Sequence, residues 1–559
     1  MNEYIVTCKN REDLVGLYDD LETVGGSLYI PDRAVDLVYR REISRNTHYM
    51  LTEEEAVEIR KDSRVIACER PIKSRDNVPA PITTEEHWEQ TGNFEKTMFT
   101  LDSTDKNWGL YRMIEGETSS NWGSNGSPQL TGKTIATDVS GKNVDVVIVD
   151  SHINPDHPEF AVNVDGTGGS RVNQFNWFQY NSVLGYGSNG TYTYSTSGYS
   201  PNSNHGTHVA GTVAGNTQGW ARDANIYNMA YSDTLSGVTD WDEKLWDYLR
   251  HFHKNKSINP ATGRRNPTIT NHSWGYSYGS IYLSWIISIN YRGTTIDWSG
   301  MNDVQKRVSA EDNGIPVPGV NYLYRTPSRS DAVEADIQDA IDDGVIIISS
   351  AGNSYWNCDI PTGEDYNNSV TGSSWTVYHN RGSSPGSANN VICVGSIGSK
   401  VAEYKSNFSN CGRRVDIWAP GSDIVSAVYD YNSANAESYG SLPQDPRNSS
   451  YYLGSISGTS MASPQIAGII ACIAQNQPNI TQAEALQYLI ENSISGDVGS
   501  TGTINHDPWE HIGDNSNNRY AFIKRKRQSS GSLQQTTFGN RNPDAPGIKY
   551  PRTNRSVTK

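Results

Sequence analysis

The 559-residue sequence predicts an α/β fold in which helices cover both faces of a mostly parallel central sheet, preceded by a small α+β domain. Two observations support this prediction. From residue 107 to residue 495, short apolar segments rich in β-branched residues alternate with amphipathic helical segments, which is typical of a parallel sheet. The first seventy residues instead follow the order strand, helix, strand, strand, helix, strand, which indicates a ferredoxin-like domain.

The ferredoxin-like domain is predicted over residues 1–72, with strands at YIVTC, VDLVY, HYML and DSRVIACE. Thr52 followed by Glu55 is the pattern of a capping box and predicts the start of the second helix. One face of the first helix carries Leu14, Leu17, Tyr18 and Leu21. Residues 73–106 contain several prolines, many charges and no apolar period, so they are predicted to be a linker.

The central parallel strands are predicted at five segments, VDVVIVD, ANIYNMA, PTITNHS, GVIIISS and NVICVGS. Between them, TDWDEKLWDYLRHF and SDAVEADIQDAIDDG place their apolar residues on one helical face. Residues 496–559 are polar, with a basic cluster at residues 524–527, and are predicted to form a tail that contributes no core.

The composition excludes several functional classes. A net charge of −16 argues against nucleic acid as the main partner. No apolar run approaches the roughly 18 residues that a membrane span needs, so no membrane partner is predicted. The N-terminus lacks the basic and apolar regions of a secretory signal, which favours an intracellular or particle-associated protein over classical secretion.

The six cysteines include no C-x-x-C pair, so zinc chemistry has no support, and buried reduced thiols are expected. Cys8 and Cys68 are expected near the far ends of antiparallel strands, too distant to form a disulfide.

Three segments carry residues suited to nucleophilic catalysis. An apolar strand ends in Asp150, His205 begins a helix of small residues in NHGTHVAG, and Ser460 begins another helix in SGTSMASP. A serine hydroxyl needs a nearby base, an imidazole titrates close to neutral pH, and a carboxylate can hold the imidazole in one tautomer. The order Asp, His, Ser is one in which such triads occur.

These segments resemble the subtilisin-like serine proteases, the subtilases. HGTHVAG and GTSMASP are long family motifs, and the resemblance implies a subtilisin-like fold with Asp150, His205 and Ser460 as the catalytic triad. The segment GVIIISSAGN resembles the family strand whose asparagine stabilises the oxyanion, which implies that role for Asn353. NWGLYRM resembles the start of a mature subtilase close to the proteinase K branch. The implied function is a serine endopeptidase that forms an acyl-enzyme and acts on protein or peptide substrates.

The resemblance also implies two walls of a substrate cleft. One wall is Ser273, Trp274 and Gly275, and the facing wall of the primary specificity pocket is Ser350, Ala351 and Gly352. Because the second set is small, we expect a roomy pocket for apolar or aromatic side chains. Residues 276–330, 355–390 and 429–450 are predicted insertions, and the aromatic residues of the first are expected to be mainly packing residues.

The N-terminal domain resembles the subtilase propeptide, which implies a self-processing zymogen that cuts its own linker and is inhibited by its own propeptide. The resemblance implies that no cofactor is required; it allows a structural calcium ion, but no metal site can be assigned from the sequence. The alternative function is a non-catalytic binding or structural protein that kept the same scaffold. Labelling with a serine-directed phosphonate distinguishes the two. A glutamate-based sedolisin is disfavoured because the HGTH segment is intact.

Overall fold

The structure is a computed structural model. It describes residues 1–23, 35–72, 100–101, 107–115, 133–134, 136–137, 139–194, 203–230, 241–317, 321–399, 404–428, 444–495, 498, 512, 516–522 and 535–536. Within these ranges the α-helices are α1 Leu14–Glu22, α2 Glu53–Ile59, α3 Trp108–Glu115, α4 Ser203–Ala214, α5 Trp241–Asn255, α6 Asp303–Asp312, α7 Asp331–Asp342, α8 Thr459–Asn476 and α9 Gln482–Asn492.

The strands of the first half are β1 Asn2–Cys8, β2 Asp36–Arg40, β3 Asn46–Leu51, β4 Val65–Glu69, β5 Thr100–Leu101, β6 Lys133–Thr134, β7 Ala136–Thr137, β8 Asp145–Asp150, β9 Val172–Asn173, β10 Asn225–Ala230, β11 Thr268–His272, β12 Ser277–Tyr278 and β13 Ile281–Tyr282. The remaining strands are β14 Ser288–Tyr291, β15 Thr294–Asp297, β16 Tyr322–Leu323, β17 Thr326–Pro327, β18 Ile346–Ser350, β19 Ser369–Thr371, β20 Thr376–Val377, β21 Ile392–Ile397, β22 Ile417–Pro420, β23 Ile424–Val428, β24 Gln444–Asp445, β25 Asn448–Ile456, β26 Ile494–Ser495, β27 Arg519–Tyr520 and β28 Gln535–Thr536.

The N-terminal domain is a four-stranded antiparallel sheet in the order β2-β3-β1-β4, with α1 and α2 packed on it. The predicted capping box is present: the Glu55 backbone N donates to Thr52 Oγ1 at 3.2 Å, and the Thr52 backbone N donates to Glu55 Oε2 at 2.8 Å. The predicted α+β order is therefore confirmed.

The central sheet has nine strands in the order β26-β27-β22-β21-β18-β11-β8-β10-β9. The five strands predicted from the sequence are its neighbouring central members, and they pair in parallel. Side chains alternate between its faces: Val146 and Ile148 pack with α4 and α8, whereas Val147 and Val149 pack with α5 and α7. The predicted α/β class, with helices on both faces, is confirmed.

The first two predicted insertions fold into one accessory unit beside the central sheet. It contains α6, two small two-stranded sheets and a four-stranded sheet in the order β15-β14-β19-β20. Its core includes Leu283, Trp298 and Trp356, all fully buried. Tyr282 and Trp285 are 44% and 50% exposed and contact each other edge to face. The aromatic residues of the insertion are thus divided between packing and the surface.

The prediction that residues 496–559 contribute no core is wrong for part of that segment. Val498 and Tyr520 are fully buried, and Ile512 is nearly so. Strand β27 extends the central sheet, because Tyr520 pairs with Trp418 of β22. Scattered apolar residues in a polar stretch give no periodic signal, and Tyr520 finds its partner only at the edge of the folded sheet.

Cys8 and Cys68 lie on adjacent antiparallel strands, as predicted, and Cys68 is the partner of Val6 rather than of Cys8. Both thiols are free and buried, as are those of Cys358, Cys393, Cys411 and Cys472. The predicted linker, apart from residues 100–101, and the basic cluster at residues 524–527 lie outside the described residues. Among the helices that the structure describes, none is long and apolar enough to cross a membrane.

Candidate active site

Asp150 and His205 meet at the carboxyl end of the central sheet. Asp150 is the last residue of β8, and His205 lies in the first turn of α4. His205 Nδ1 is 2.6 Å from Asp150 Oδ1, and both side chains are buried. The first histidine of HGTH is therefore the one that contacts the carboxylate. A buried carboxylate at this distance fixes which imidazole nitrogen carries the proton.

The close approach of α4 to the loop after Asp150 depends on Gly206. Its backbone N donates to Ser151 Oγ at 2.8 Å, and a Cβ at this position would lie 2.4 Å from the Ser151 carbonyl oxygen. Any side chain would push the helix away from the loop, because backbone oxygen cannot yield as a flexible side chain can. Glycine is therefore required for the contact between Asp150 and His205.

The second histidine of HGTH has a structural environment. His208 Nε2 contacts the carbonyl oxygens of Ile424 and Gly454, at 2.8 and 3.1 Å. Burial lowers the pKa of His208 to about 3. The imidazole is therefore neutral at ordinary pH and joins α4 to strands β23 and β25.

Ser460 lies in the first turn of α8, an 18-residue helix that begins after Gly458. The backbone N–H groups of a helix start point outward and carry partial positive charge. Ser460 Oγ donates to the Ser273 carbonyl oxygen at 3.2 Å, and Ser273 Oγ donates to the Ser460 carbonyl oxygen at 3.0 Å. Pro464, four residues on, has no N–H for the usual helical bond to the Ser460 carbonyl, which leaves this carbonyl available to Ser273.

Asn353 is held by one end of its side-chain amide. Its Oδ1 accepts hydrogen bonds from the Thr459 backbone N at 2.9 Å and from Thr459 Oγ1 at 2.6 Å. Thr459 Oγ1 in turn accepts from the Gly352 backbone N at 3.1 Å. Because the oxygen end of the amide is occupied by two donors, the orientation of the amide is fixed and its NH₂ end is directed away from Thr459.

The two predicted cleft walls lie on neighbouring parallel strands, β11 and β18. Ser273, Trp274 and Gly275 follow β11, whereas Ser350 ends β18 and is followed by Ala351 and Gly352. The Trp274 indole is buried and contacts the rings of His272 and Tyr276, so only the backbone of this residue is suited to a wall of the cleft.

Sequence reasoning missed several residues that shape this site. Thr459 belongs to the GTSMASP motif, but its bonds to Asn353 depend on the approach of β18 to α8. Gly206 also belongs to a motif, HGTHVAG, but no pattern in the neighbouring residues predicts its contact with Ser151. The side chain of Asn410, in the segment FSNCG, bonds to the turn that carries Asn353 and has no local signal at all.

Comparison with known proteins identifies the family. A family model described as "Subtilase family" matches residues 141–539, a range that contains Asp150, His205, Asn353 and Ser460. The chain belongs to the subtilase family.

Individual subtilases show the extent of the similarity. A subtilisin of Bacillus pumilus is 25% identical over 350 residues, which cover 63% of this chain and 83% of the relative. The major intracellular serine protease of Bacillus subtilis strain 168 is 24% identical over 372 residues, which cover 66% and 81%. For subtilisin amylosacchariticus of Bacillus subtilis subsp. amylosacchariticus, the match at 25% identity covers 63% of this chain and 60% of the relative.

Two solved structures are also similar. A cold adapted subtilisin-like serine proteinase matches 75% of this chain and 98% of its own, with 20% identity and a TM-score of 0.43. Fervidolysin from Fervidobacterium pennivorans matches 93% of this chain and 60% of its own, with 16% identity and a TM-score of 0.46.

Family membership and these relatives support a subtilisin-like serine endopeptidase, a hydrolase that acts on proteins or peptides. Residues 1–72 lie outside the range that the family model matches. The assignment to the proteinase K branch stays a prediction.

Proposed function

We propose that this subtilase hydrolyses peptide bonds with Asp150, His205 and Ser460 as its catalytic triad. The observation that carries the proposal is the 2.6 Å contact between His205 Nδ1 and the buried Asp150 carboxylate. This contact leaves Nε2 as the nitrogen that can accept a proton from a nucleophile. Ser460 has the hydroxyl for that role, at the start of a helix that packs against α4.

The proposed reaction has two steps. Ser460 Oγ attacks the carbonyl carbon of the substrate while His205 Nε2 takes the hydroxyl proton. Cleavage of the C–N bond then releases the amine, which receives that proton and leaves an acyl-enzyme. Water attacks the ester with His205 again as base, which frees the acid and restores Ser460. Asp150 stabilises the imidazolium in both steps.

The negative charge that develops on the carbonyl oxygen needs donors. The Asn353 side-chain NH₂ and the Ser460 backbone N–H are proposed to supply them. The bonds from Thr459 to Asn353 Oδ1 support this role, because they hold the amide in one orientation before substrate binds. Loss of one such donor lowers kcat by roughly 100- to 1,000-fold.

A phosphonate that reacts with active serines tests the triad. The processed protein should form one adduct, on Ser460, and should hydrolyse a peptide amide. Ser460→Ala should form no adduct, and His205→Ala should lower kcat by at least about 10⁴-fold. Absence of both adduct and hydrolysis in the wild type would favour the alternative, a non-catalytic protein on the same scaffold.

We also propose that residues 1–72 act as an inhibitor within a self-processing zymogen. The extensive contact between this domain and helices α5 and α7 supports the proposal. Glu69 Oε1 accepts from Ser330 Oγ at 2.7 Å and from the Ala332 backbone N at 3.0 Å, at the start of α7. A carboxylate at a helix N-terminus is favourable because it faces unpaired N–H groups.

Intact mass tests the zymogen. Ser460→Ala should remain a 559-residue precursor, whereas the wild type should yield a form that starts within residues 73–106. A tethered linker in its own cleft reacts at very high effective concentration. A wild type that remains full length yet hydrolyses peptides at an ordinary rate would contradict this part of the proposal and leave the triad intact.

The specificity pocket is proposed to accept apolar or aromatic side chains, because Ser350, Ala351 and Gly352 are small. A library of peptides that differ at the residue before the cleaved bond should show the highest kcat/KM for such side chains. A profile dominated by Arg or Lys would contradict this prediction.

A further inference from the structure

Asn410 lies in the loop between β21 and β22 and is only 2% exposed. Its Nδ2 donates to the Ala351 carbonyl oxygen at 2.8 Å. Its Oδ1 accepts from the backbone N atoms of Ser354 and Trp356, at 3.1 and 2.9 Å. Its own backbone N donates to the Gly352 carbonyl oxygen at 2.8 Å. One residue therefore bonds to both ends of the turn from residue 351 to residue 356, and Asn353 lies within that turn.

The three side-chain bonds of Asn410 require a primary amide. The amide presents a donor and an acceptor in one plane, whereas a carboxylate only accepts and an aliphatic side chain does neither. Gly352 is adapted to the same contact, because it has a φ of +100° and a Cβ there would lie 2.5 Å from Asn410 Nδ2. The turn is thus built directly against the Asn410 side chain.

The position of the Asn353 amide depends on two sets of bonds. Thr459 fixes its rotation through Oδ1, and the backbone of the turn fixes its location. Oxyanion donors are effective when they lie about 2.7–3.1 Å from the place where charge develops, and a displacement of about 1 Å can lower the rate about 100-fold. A loosened turn would therefore weaken the donor even though Asn353 itself were unchanged.

We propose that Asn410 is a positioning residue of the oxyanion hole: its side chain holds the turn that carries Asn353 in the geometry that the reaction needs. The proposal rests on the proposed role of Asn353. Asn410 itself contacts neither substrate nor the reacting atoms. It acts through Asn353, so its contribution disappears when the Asn353 amide is removed.

The test compares kcat and KM for a peptide amide in the processed wild type, Asn410→Ala and Asn410→Asp. The concentration of enzyme is taken from titration with the serine-directed phosphonate, so unfolded molecules are not counted. Both variants should lower kcat by about 10- to 100-fold and change KM by less than about threefold. Asn407→Ala is the matched control, since Asn407 is exposed in the same loop, and it should leave both constants unchanged.

A double-mutant cycle separates positioning from a purely structural role. In an Asn353→Ala background, Asn410→Ala should lower kcat by less than about threefold more, because the donor is already absent. The proposal would be overturned if Asn410→Ala lowered kcat by the same factor with and without the Asn353 amide. It would also be overturned if Asn410→Ala alone had the kcat of the wild type. If Asn410→Ala does not fold, Asn410→Asp decides the matter, since it keeps the acceptors for Ser354 and Trp356 and replaces the donor to Ala351 by an oxygen that cannot donate.

The same experiment shows which proposal has failed. If Asn353→Ala hydrolyses the amide like the wild type, the oxyanion role of Asn353 is wrong and this inference falls with it. If Asn353→Ala is slow but the Asn410 variants are normal, the proposed function stands and only the role of Asn410 is wrong.

Discussion

Two requirements conflict at Gly206. Alanine is favoured over glycine inside a helix by about 1 kcal/mol. A Cβ at this position, however, would lie 2.4 Å from the Ser151 carbonyl oxygen, next to the proposed triad carboxylate of Asp150. Gly206→Ala should therefore lower kcat by at least about 10-fold, because α4 must move away from Asp150.

The matched control for this prediction is Gly16→Ala in α1, where the nearest atom to a new Cβ is Arg64 Nη1 at an ordinary 3.5 Å. This variant should keep the wild-type kcat, and in the Ser460→Ala precursor, which retains residues 1–72, it should raise the midpoint of thermal unfolding. Active-site titration and thermal unfolding check both variants. An unchanged kcat in Gly206→Ala would show that the helix does not need this close approach.

Ser273 joins the predicted substrate wall to the helix of Ser460, the proposed nucleophile. Its buried hydroxyl donates to the Ser460 carbonyl oxygen, lies 3.0 Å from Ser463 Oγ and accepts from Asn271 Nδ2. Ser273→Ala should lower the free energy of unfolding by about 1–3 kcal/mol, because buried polar groups lose their partner. Denaturant titration in the Ser460→Ala background, which avoids self-digestion, measures the change.

Ser257, which is exposed, provides the control: Ser257→Ala should change the free energy of unfolding by less than about 0.5 kcal/mol. A Ser273→Ala variant as stable as this control would show that the hydroxyl makes no net contribution.

At the level of elements, one carboxylate of α5 and one of α7 meet at Arg41 of the N-terminal domain. The Arg41 guanidinium is fully buried and contacts Asp247 Oδ2 at 3.0 Å and Asp336 Oδ2 at 2.5 Å. Asn46 Nδ2 also donates to Asp336 Oδ2, at 2.9 Å. Without Arg41, Asp336 would lose its arginine partner and Asp247 would keep only Arg250, 3.9 Å away, although both carboxylates are buried.

Arg41→Met should therefore weaken the association of the two domains by about 3–5 kcal/mol, the usual cost of removing one partner of a buried ion pair. In the Ser460→Ala precursor, the backbone amides of α7 and β3 should exchange hydrogen faster with Arg41→Met than without it, because the two domains separate more often. Arg40→Met is the control, because Arg40 pairs with Glu22 near the surface, where an ion pair contributes less than about 1 kcal/mol. Adding Asp336→Asn to Arg41→Met should partly restore the protection of these amides from exchange, because it removes one of the buried negative charges. If it does not, the unpaired charge is not the cause of the weaker association.

At the scale of the whole molecule, the association of the two domains should depend on pH through His48. This buried imidazole lies 2.7 Å from Glu3 Oε1 of its own domain and 3.3 Å from Glu243 Oε2 of α5, stacks on Tyr39 and lies near the Arg41 charge. Burial opposes protonation, but the bonds to Glu243 and Glu3 outweigh it and raise the pKa of His48.

A group whose pKa is raised in the folded state stabilises that state fully below its unfolded pKa. This contribution is lost as the pH rises through the raised pKa of the folded state. The equilibrium constant for association then falls by about tenfold for each unit by which the pKa differs between the two states. Hydrogen exchange in the Ser460→Ala precursor, corrected for intrinsic rates, should show weaker association at pH 8.5 than at pH 6. In His48→Gln this difference should shrink. An equal difference in the variant would assign the pH dependence to other groups, such as Asp336, whose pKa burial raises to about 6.

The first two predicted insertions fold together into one unit. Residues 276–330 follow one predicted cleft wall in the chain, and residues 355–390 follow the other. The sequence predicted both as insertions. That they share a core could not be predicted, because Trp298 and Trp356 belong to separate segments and neither segment has a complete apolar face by itself.

What the sequence determined by itself was local chemistry and local periodicity. The five apolar strands, the capping box at Thr52 and the residues proposed as the triad could all be predicted, because each depends on neighbours within a few positions. Only the tertiary structure decided the contacts of Asn410, Arg41 and Tyr520. Each of these side chains meets partners that lie far away in the chain, and no nearby pattern records a hydrogen bond, a buried charge or a sheet edge that forms only when distant segments pack together.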